Sequence, residues 1–139
     1  MADTVGVKYI YPQDWDGFYD NIREGHRRIV VELWGLSDGT NEAAVRKLVV
    51  SDFRRSDGQV ASKFAIEKIV YSVTEGMTVE LLFDSLTDEH LVMLTGQGEK
   101  EFPGGNVMQA ESGTGDIMLT SASGGAGDSY SIVITARLK

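Results

Sequence analysis

The segment SYSIVITARL, residues 129–138, alternates along its length between two sets of side chains. One set consists of Tyr130, Ile132, Ile134, Ala136 and Leu138, and the other of Ser131, Val133, Thr135 and Arg137. Successive side chains of a β-strand point to opposite faces, so this period of two predicts a strand with one face in the core. The segment therefore indicates a protein whose core is covered by β-sheet.

Further strand signals lie upstream, separated by turn residues such as Ser37-Asp38-Gly39. They cover residues 5–11, 27–36, 65–73, 77–84, 90–95 and 116–121, with a weaker signal near 45–50. In 65–73 we expect Glu67, Ile69, Tyr71 and Val73 to face inward and Ile66, Lys68, Val70 and Ser72 to face outward. The glycine-rich residues 124–128 are interpreted as a hairpin connection. About eight strands predict an all-β fold, a β-sandwich or a jelly roll, and the pattern leaves the strand order open.

The chain of 139 residues fits a single domain with a hydrophobic core of its own. Residues 27–139 are predicted to form the sandwich or jelly roll. Residues 1–26 are predicted to form an ordered amino-terminal arm, a first strand followed by a long ordered loop. Three aromatic residues of that loop, Trp15, Phe18 and Tyr19, need burial, which places them across the sheet or in an interface.

Composition restricts the partners and the location that we expect. With no cysteine, the chain has neither disulfides nor thiolate metal sites. A net charge of −8 argues against nucleic acid as a partner, because phosphate binding needs clustered Lys and Arg. We expect no membrane partner, because no apolar run reaches the length of a spanning helix, and no secretory signal, because the start of the sequence lacks a basic and apolar stretch.

The charges are unevenly distributed along the sequence. Residues 23–68 hold nine bases and seven acids, whereas residues 69–136 hold ten acids and one base. Two interpretations remain open at this stage. The charges form either an ordinary solvated surface or a polarised docking surface with a basic and an acidic side.

No motif of the sequence assembles a catalytic, cofactor or metal site, and we expect a protein that is not an enzyme. The aspartates around Asp14 resemble a calcium loop, but the glycine comes too early and the twelfth position is Gly25. The two histidines, His26 and His90, lack the close carboxylate spacing of jelly-roll metal sites. Neither Gly96-Gln97-Gly98 nor the glycines near 125 continue into a nucleotide-binding motif.

A series of segments in the carboxyl-terminal half forms a recognisable pattern. The segments are IEKIVY at 66–71, VELLFD at 79–84, GQGE at 96–99 with Phe102, TGDIMLT at 114–120, GDSYSI at 127–132 and RLK at 137–139. Together they resemble small virion proteins of tailed bacteriophages, all-β proteins of the capsid decoration or cement type. The resemblance covers roughly residues 60–139, with weaker support from Val7-Lys8-Tyr9 and residues 36–39.

The resemblance implies a structural subunit with no catalytic residues. Such a subunit is made in the cytoplasm of the host bacterium and located in the virion, on the capsid surface. Its partners are the major capsid protein and further copies of itself, as a trimer or dimer.

The arm supplies the residues that we assign to the capsid interface. Trp15, Phe18 and Tyr19 are expected to be the anchors. A basic cluster consisting of Arg23, Arg27 and Arg28 is expected to pair with capsid acids. Three alternatives remain: a head–tail adaptor or tail component, a carbohydrate-binding β-sandwich module that uses the aromatic rings for stacking, and a jelly-roll metalloenzyme.

Overall fold

The computed structural model describes residues 4–11, 28–37, 39, 41–53, 59, 61, 63–84, 89–102, 115–122 and 125–138. They form nine strands: β1 (Thr4–Tyr11), β2 (Arg28–Leu36), β3 (Val45–Leu48), β4 (Phe64–Val73), β5 (Thr78–Phe83), β6 (Glu89–Leu94), β7 (Gln97–Glu101), β8 (Ile117–Ala122) and β9 (Ser129–Leu138). A single 3₁₀ turn, Val50–Asp52, follows β3. Within these ranges, no helix has the length and apolar character needed to cross a membrane.

The strands form two antiparallel sheets that enclose one core. The five-stranded sheet has the order β1-β2-β9-β4-β7, and the four-stranded sheet has the order β3-β8-β5-β6. The pairs are nested along the chain: β5 with β6, β4 with β7, β3 with β8, and β2 with β9. Nested pairing of this kind is a long hairpin rolled into two layers, which is the jelly-roll topology. The predicted all-β fold is confirmed, and the strand order that the sequence left open is that of a jelly roll.

The core lies between the two sheets and receives alternate side chains from both. The five-stranded sheet contributes Ile29, Val31, Leu33, Ile69, Ile132 and Ile134, and the four-stranded sheet contributes Val79, Leu81, Leu94, Ile117 and Leu119. Phe53 and Phe64 add an edge-to-face ring pair with centroids 5.5 Å apart. Burial of these side chains is the main favourable term in folding. The chain has no cysteine, so no disulfide adds to it.

The strand predicted for residues 27–36 and the alternation predicted for residues 129–138 are confirmed. In β2, Ile29, Val31 and Leu33 are buried, and in β9 every second side chain from Tyr130 to Leu138 is buried. The prediction for β4 is wrong at Ile66, which was expected to face outward and is fully buried. Ile66 stands opposite Ala136 and Lys68 opposite Thr135, so Glu67 occupies a β-bulge. The extra residue reverses the alternation on its amino-terminal side.

One strand and one connection between strands also differ from what the sequence predicted. Strand β7 was not predicted, because its sequence QGEKE lacks residues that favour strands. Residues 125–128 do not form a hairpin connection, since β8 and β9 lie in different sheets. They carry the chain from one sheet to the other through a turn in which Gly127 has a φ of 92°.

The predicted first strand is confirmed as β1, which pairs with β2 at the edge of the five-stranded sheet. Val7 packs against the core, so this portion of residues 1–26 is an integral part of the sheet. The loop predicted to follow it lies outside the described residues. The division of the chain at residue 26 stays a prediction.

Candidate docking surface

The residues predicted to bind a capsid fall mostly outside the described part of the chain. Trp15, Phe18, Tyr19, Arg23 and Arg27 all lie there, and their role stays a prediction. Arg28 is the first residue of β2, where it stands opposite Arg137 of β9. The position of Arg28 in the sheet is thus described, and its role in an interface stays a prediction.

A second set of surface residues, not assigned from the sequence, lies on the five-stranded sheet. Three of its strands carry large apolar side chains with much of their surface exposed: Val5 at 39% on β1, Trp34 at 37% and Leu36 at 48% on β2, and Val70 at 42% on β4. Trp34, Leu36 and Val70 lie on the outer face of the sheet, and Val5 lies at its β1 edge. Trp34 and Leu36 are next to each other on one face of β2, whereas Val70 lies two strands away and Val5 stands opposite Gly35, on the other face.

Trp34 is held in place by a glycine on the neighbouring strand. Gly6 stands directly opposite Trp34, and a Cβ atom at Gly6 would lie 2.5 Å from Cζ2 of the indole. The ring therefore covers the bare backbone of β1. The same arrangement occurs at Gly35, opposite Tyr130, and at Gly98, opposite Tyr71. A cross-strand aromatic ring compensates for the weak strand preference of glycine.

Strand pairing brings the basic and acidic halves of the sequence together. Lys68 of β4 lies 3.4 Å from Glu99 and 3.7 Å from Glu101, both on β7. Arg46 of β3 pairs with Asp84 and Asp116, which follow β5 and precede β8. These pairs interleave the two signs of charge in the described part of the chain. The docking surface with separate basic and acidic sides receives no support from them.

The Arg46 cluster joins three strands at one end of the four-stranded sheet. One guanidinium nitrogen donates to Asp84 at 2.8 Å and another to Asp116. The second oxygen of Asp116 accepts a hydrogen bond from the backbone N–H of Val50 at 2.7 Å. Hydrogen bonds to Asp116 and then to Asp84 raise the pKa of Arg46. Every group of the cluster is used in holding the sheet, which indicates a structural role.

A buried charged cluster lies at the other end of the sandwich. Glu42 accepts from Lys47 at 2.5 Å and from the hydroxyl of Tyr130 at 2.6 Å. The side chains of Lys47 and Glu42 are only 4% and 8% exposed. The backbone N–H of Glu42 donates to the hydroxyl of Ser121, and the backbone N–H of Ser121 donates to the carbonyl of Glu42. The cluster ties the segment before β3 to both β8 and β9, and hence one sheet to the other.

The metalloenzyme alternative gains no observation in its favour. His90 lies 2.5 Å from Glu80 on the neighbouring strand, a single pair on an exposed surface. Among the described residues, no group of three or more histidines and acids comes close enough to hold a metal ion. His26 lies outside those residues.

The carbohydrate-binding alternative requires exposed rings. Trp34 is the only exposed aromatic ring among the described side chains, because Tyr130 is buried and Tyr71 packs against the core. Trp34 can stack on one sugar. A platform would need a second ring, and Trp15, Phe18 and Tyr19 lie outside the described part.

Comparison with known proteins adds no relative. No protein-family model matches the chain, and a search of curated proteins returned no significant match. A functional assignment therefore depends on the residues themselves and on the resemblance carried by residues 60–139.

Proposed function

We propose that this chain is a decoration or cement subunit that binds the outside of a tailed-phage capsid and reinforces the contacts between capsid proteins. The observation that carries the proposal is the resemblance of residues 60–139. Its segments fall on β4, β5, β7, β8 and β9 and on the turns that adjoin them. The residues of the resemblance thus belong to both sheets of the jelly roll.

The physical properties of the domain suit this role. A subunit that clamps a shell needs a rigid body, and here both sheets pack on one continuous core. The two polar clusters further tie the ends of the sheets together. Each subunit needs only weak contacts with the capsid. Many copies bound to the same shell stabilise it together, through avidity.

In this proposal Trp15, Phe18 and Tyr19 are the capsid anchors, and the basic cluster of Arg23, Arg27 and Arg28 pairs with capsid acids. Buried aromatic anchors dominate many protein interfaces, and arginines pair with acids at their rims. Of these six residues, Arg28 belongs to the described part of the chain, as the first residue of β2.

The test is co-sedimentation of the purified protein with empty phage heads. We expect the wild-type chain to bind at a copy number on the order of hundreds per head, and the triple variant W15A/F18A/Y19A to lose binding by more than about tenfold. Substitution is preferable to deletion of residues 1–20, because β1 belongs to the sheet. Met93→Ala, which removes a half-exposed apolar side chain on β6, is the matched control and should bind like the wild type.

Two results would contradict the proposal. If the wild-type protein does not co-sediment with heads at any concentration, the capsid role is wrong. If the triple variant binds as well as the wild type, the assignment of Trp15, Phe18 and Tyr19 as anchors is wrong. Binding at about a dozen copies or fewer supports the adaptor alternative, since adaptors follow the symmetry of a single ring.

The exposure of Trp34 favours the carbohydrate-binding module as a second candidate. Its test is a glycan array with the wild type and Trp34→Ala. Binding that disappears in the variant supports this candidate, and no binding by the wild type excludes it.

A further inference from the structure

Residues 42–47 lead into β3 and form most of it, at the edge of the four-stranded sheet beside β8. None of the apolar side chains in this segment is buried: Ala43 and Ala44 are exposed, and Val45 is 37% exposed. The next side chain, that of Leu48, is the first to enter the core. Apolar burial therefore does little to hold the segment, whereas β5, β8 and β9 fill the core with alternate side chains.

Side chains of β8 bind the backbone of this segment. The backbone N–H of Glu42 donates to the hydroxyl of Ser121 at 2.8 Å, and that of Ala44 donates to the hydroxyl of Thr120 at 2.9 Å. Ala44 has a φ of 47°, in the left-handed region that residues other than glycine rarely adopt. The register with β8 also shifts within β3. A strained residue and an interrupted ladder weaken the attachment, which therefore depends on polar side chains.

The carboxylate of Glu42 is the buried anchor of the segment. It accepts hydrogen bonds from Lys47 at 2.5 Å and from the hydroxyl of Tyr130 at 2.6 Å. Among the described residues, Lys47 of β3 and Tyr130 of β9 are the titratable groups that face it. A buried ammonium group is stable only beside its counter-charge, so the position of Lys47 between the sheets depends on the ionised form of Glu42.

The other ion pairs of the segment lie in different surroundings. Arg46 donates to Asp84 at 2.8 Å and to Asp116, but its own side chain is 43% exposed. Water can solvate the guanidinium when either carboxylate is protonated, so these pairs contribute less to a pH response. Glu42 is therefore the acid of the segment whose protonation has the largest consequence.

We propose that Glu42 is an acid-sensitive switch, and that its protonation releases residues 42–47 from β8 while the rest of the jelly roll stays folded. Protonation removes the negative charge, and Lys47 must then leave its buried position to reach water. The attachment is thus present while the carboxylate is ionised and is lost as the pH falls. Release turns β8 from an inner strand into the edge of its sheet. The switch goes beyond the proposed function, because it depends on this domain and not on a capsid.

The experiment is amide hydrogen exchange of the purified protein over a pH series, with each rate corrected for the intrinsic pH dependence of exchange. The series runs from about pH 7 to about pH 3, which spans the protonation of ordinary carboxylates. We expect the protection of the Glu42 and Ala44 amides to fall by more than about tenfold as the segment opens. The amides of Ile132 and Ile134 in β9 should change by less than about threefold at the same pH, because apolar burial holds that strand.

Variants separate the charge of Glu42 from its packing. Glu42→Gln resembles the protonated side chain, so the Ala44 amide should be less protected than in the wild type by more than about tenfold already at neutral pH. Glu42→Gln/Lys47→Met removes both charges and keeps an oxygen for the Tyr130 hydroxyl, so the segment should stay attached and respond less to acid. The matched control is Glu99→Gln, since Glu99 also contacts a lysine but on the surface of the other sheet. It should respond to acid like the wild type.

Three results would overturn the proposal. In the first, the Ala44 amide of the wild type loses protection only at the pH at which β9 also loses it, so that no local release occurs. In the second, Glu42→Gln keeps the wild-type protection of Ala44 at neutral pH. In the third, the double variant opens with acid as far as the wild type. If Glu42→Gln also loses the protection of β9, it is unfolded, and the wild type and the double variant decide. None of these results bears on the capsid proposal, because no head is present.

Discussion

Two lysines of this domain pair with glutamates in opposite surroundings. Lys47 contacts Glu42 between the sheets, where the two side chains are 4% and 8% exposed. Lys68 contacts Glu99 and Glu101 on the sheet surface, where the three side chains are 41%, 56% and 64% exposed. The surface lysine has more partners, yet the buried pair has far more influence on stability. Removing one partner of a buried pair leaves a charge without water, whereas solvent replaces a lost surface partner.

The largest effect is expected from Glu42→Ala. The variant leaves Lys47 buried without its carboxylate, and Tyr130 loses its hydrogen-bond acceptor. We expect the free energy of unfolding to fall by about 3–5 kcal/mol in urea denaturation. The control is Glu42→Leu/Lys47→Met, which removes both charges and should recover much of the loss. A double variant as unstable as Glu42→Ala would show that the uncompensated charge is not the cause.

Tyr130→Phe tests the hydrogen bond that the Tyr130 hydroxyl donates to Glu42 in the same cluster. It removes the hydrogen bond to Glu42 but keeps the ring against Gly35. We expect a loss of about 1.5–3 kcal/mol, the usual range for a hydrogen bond to a charged group. Chemical denaturation measures it, and Tyr71→Phe, whose ring faces Gly98 in the same sheet, is the comparison. An unchanged midpoint would mean that Glu42 is satisfied by Lys47 alone.

A pair of glycine substitutions extends the comparison of buried and exposed surroundings. Gly35→Ala and Gly6→Ala each place a Cβ atom 2.5 Å from an aromatic ring, Tyr130 in one case and Trp34 in the other. Tyr130 is buried and hydrogen-bonded, so we expect Gly35→Ala to cost about 1–3 kcal/mol. Trp34 can move toward solvent, so Gly6→Ala should cost less. Equal losses in thermal denaturation would contradict the role of burial.

The smallest effect is expected from Lys68→Ala. Its two ion pairs are solvent-exposed, so the free energy of unfolding should change by no more than about 0.5 kcal/mol. Denaturation at low and high salt measures the change, which should be smaller still at high salt. A loss approaching that of Glu42→Ala would invalidate the distinction between the two lysines.

The strands that could be predicted from the sequence are those in which inward-facing and outward-facing residues alternate within the strand itself. β2 and β9 were predicted because their buried and exposed positions alternate without interruption. β7 could not be predicted, since its strand state depends on pairing with β4 and on the Tyr71 ring that faces Gly98. The nested order of strands is likewise a property of distant pairs, which local patterns do not contain.

The polar clusters were missed for a related reason. Glu42 and Tyr130 are far apart in sequence, and an isolated glutamate looks like any solvated acid until the fold brings the hydroxyl to it. Val70 was placed correctly on the outer face, but no local signal distinguishes it from an ordinary exposed residue. The anchors Trp15, Phe18 and Tyr19 remain predictions from composition alone.

The nested pairing also has a consequence for the order in which the chain folds. The pair with the shortest connection, β5 with β6, can close first, and each later pair spans a longer loop. β9 lies at the centre of the five-stranded sheet, between β2 and β4. A ribosome must therefore synthesise residues 129–138 before that sheet can assemble. Until then β2 and β4 lack their shared neighbour, and we expect a slow final step with the kinetics of a high-contact-order fold.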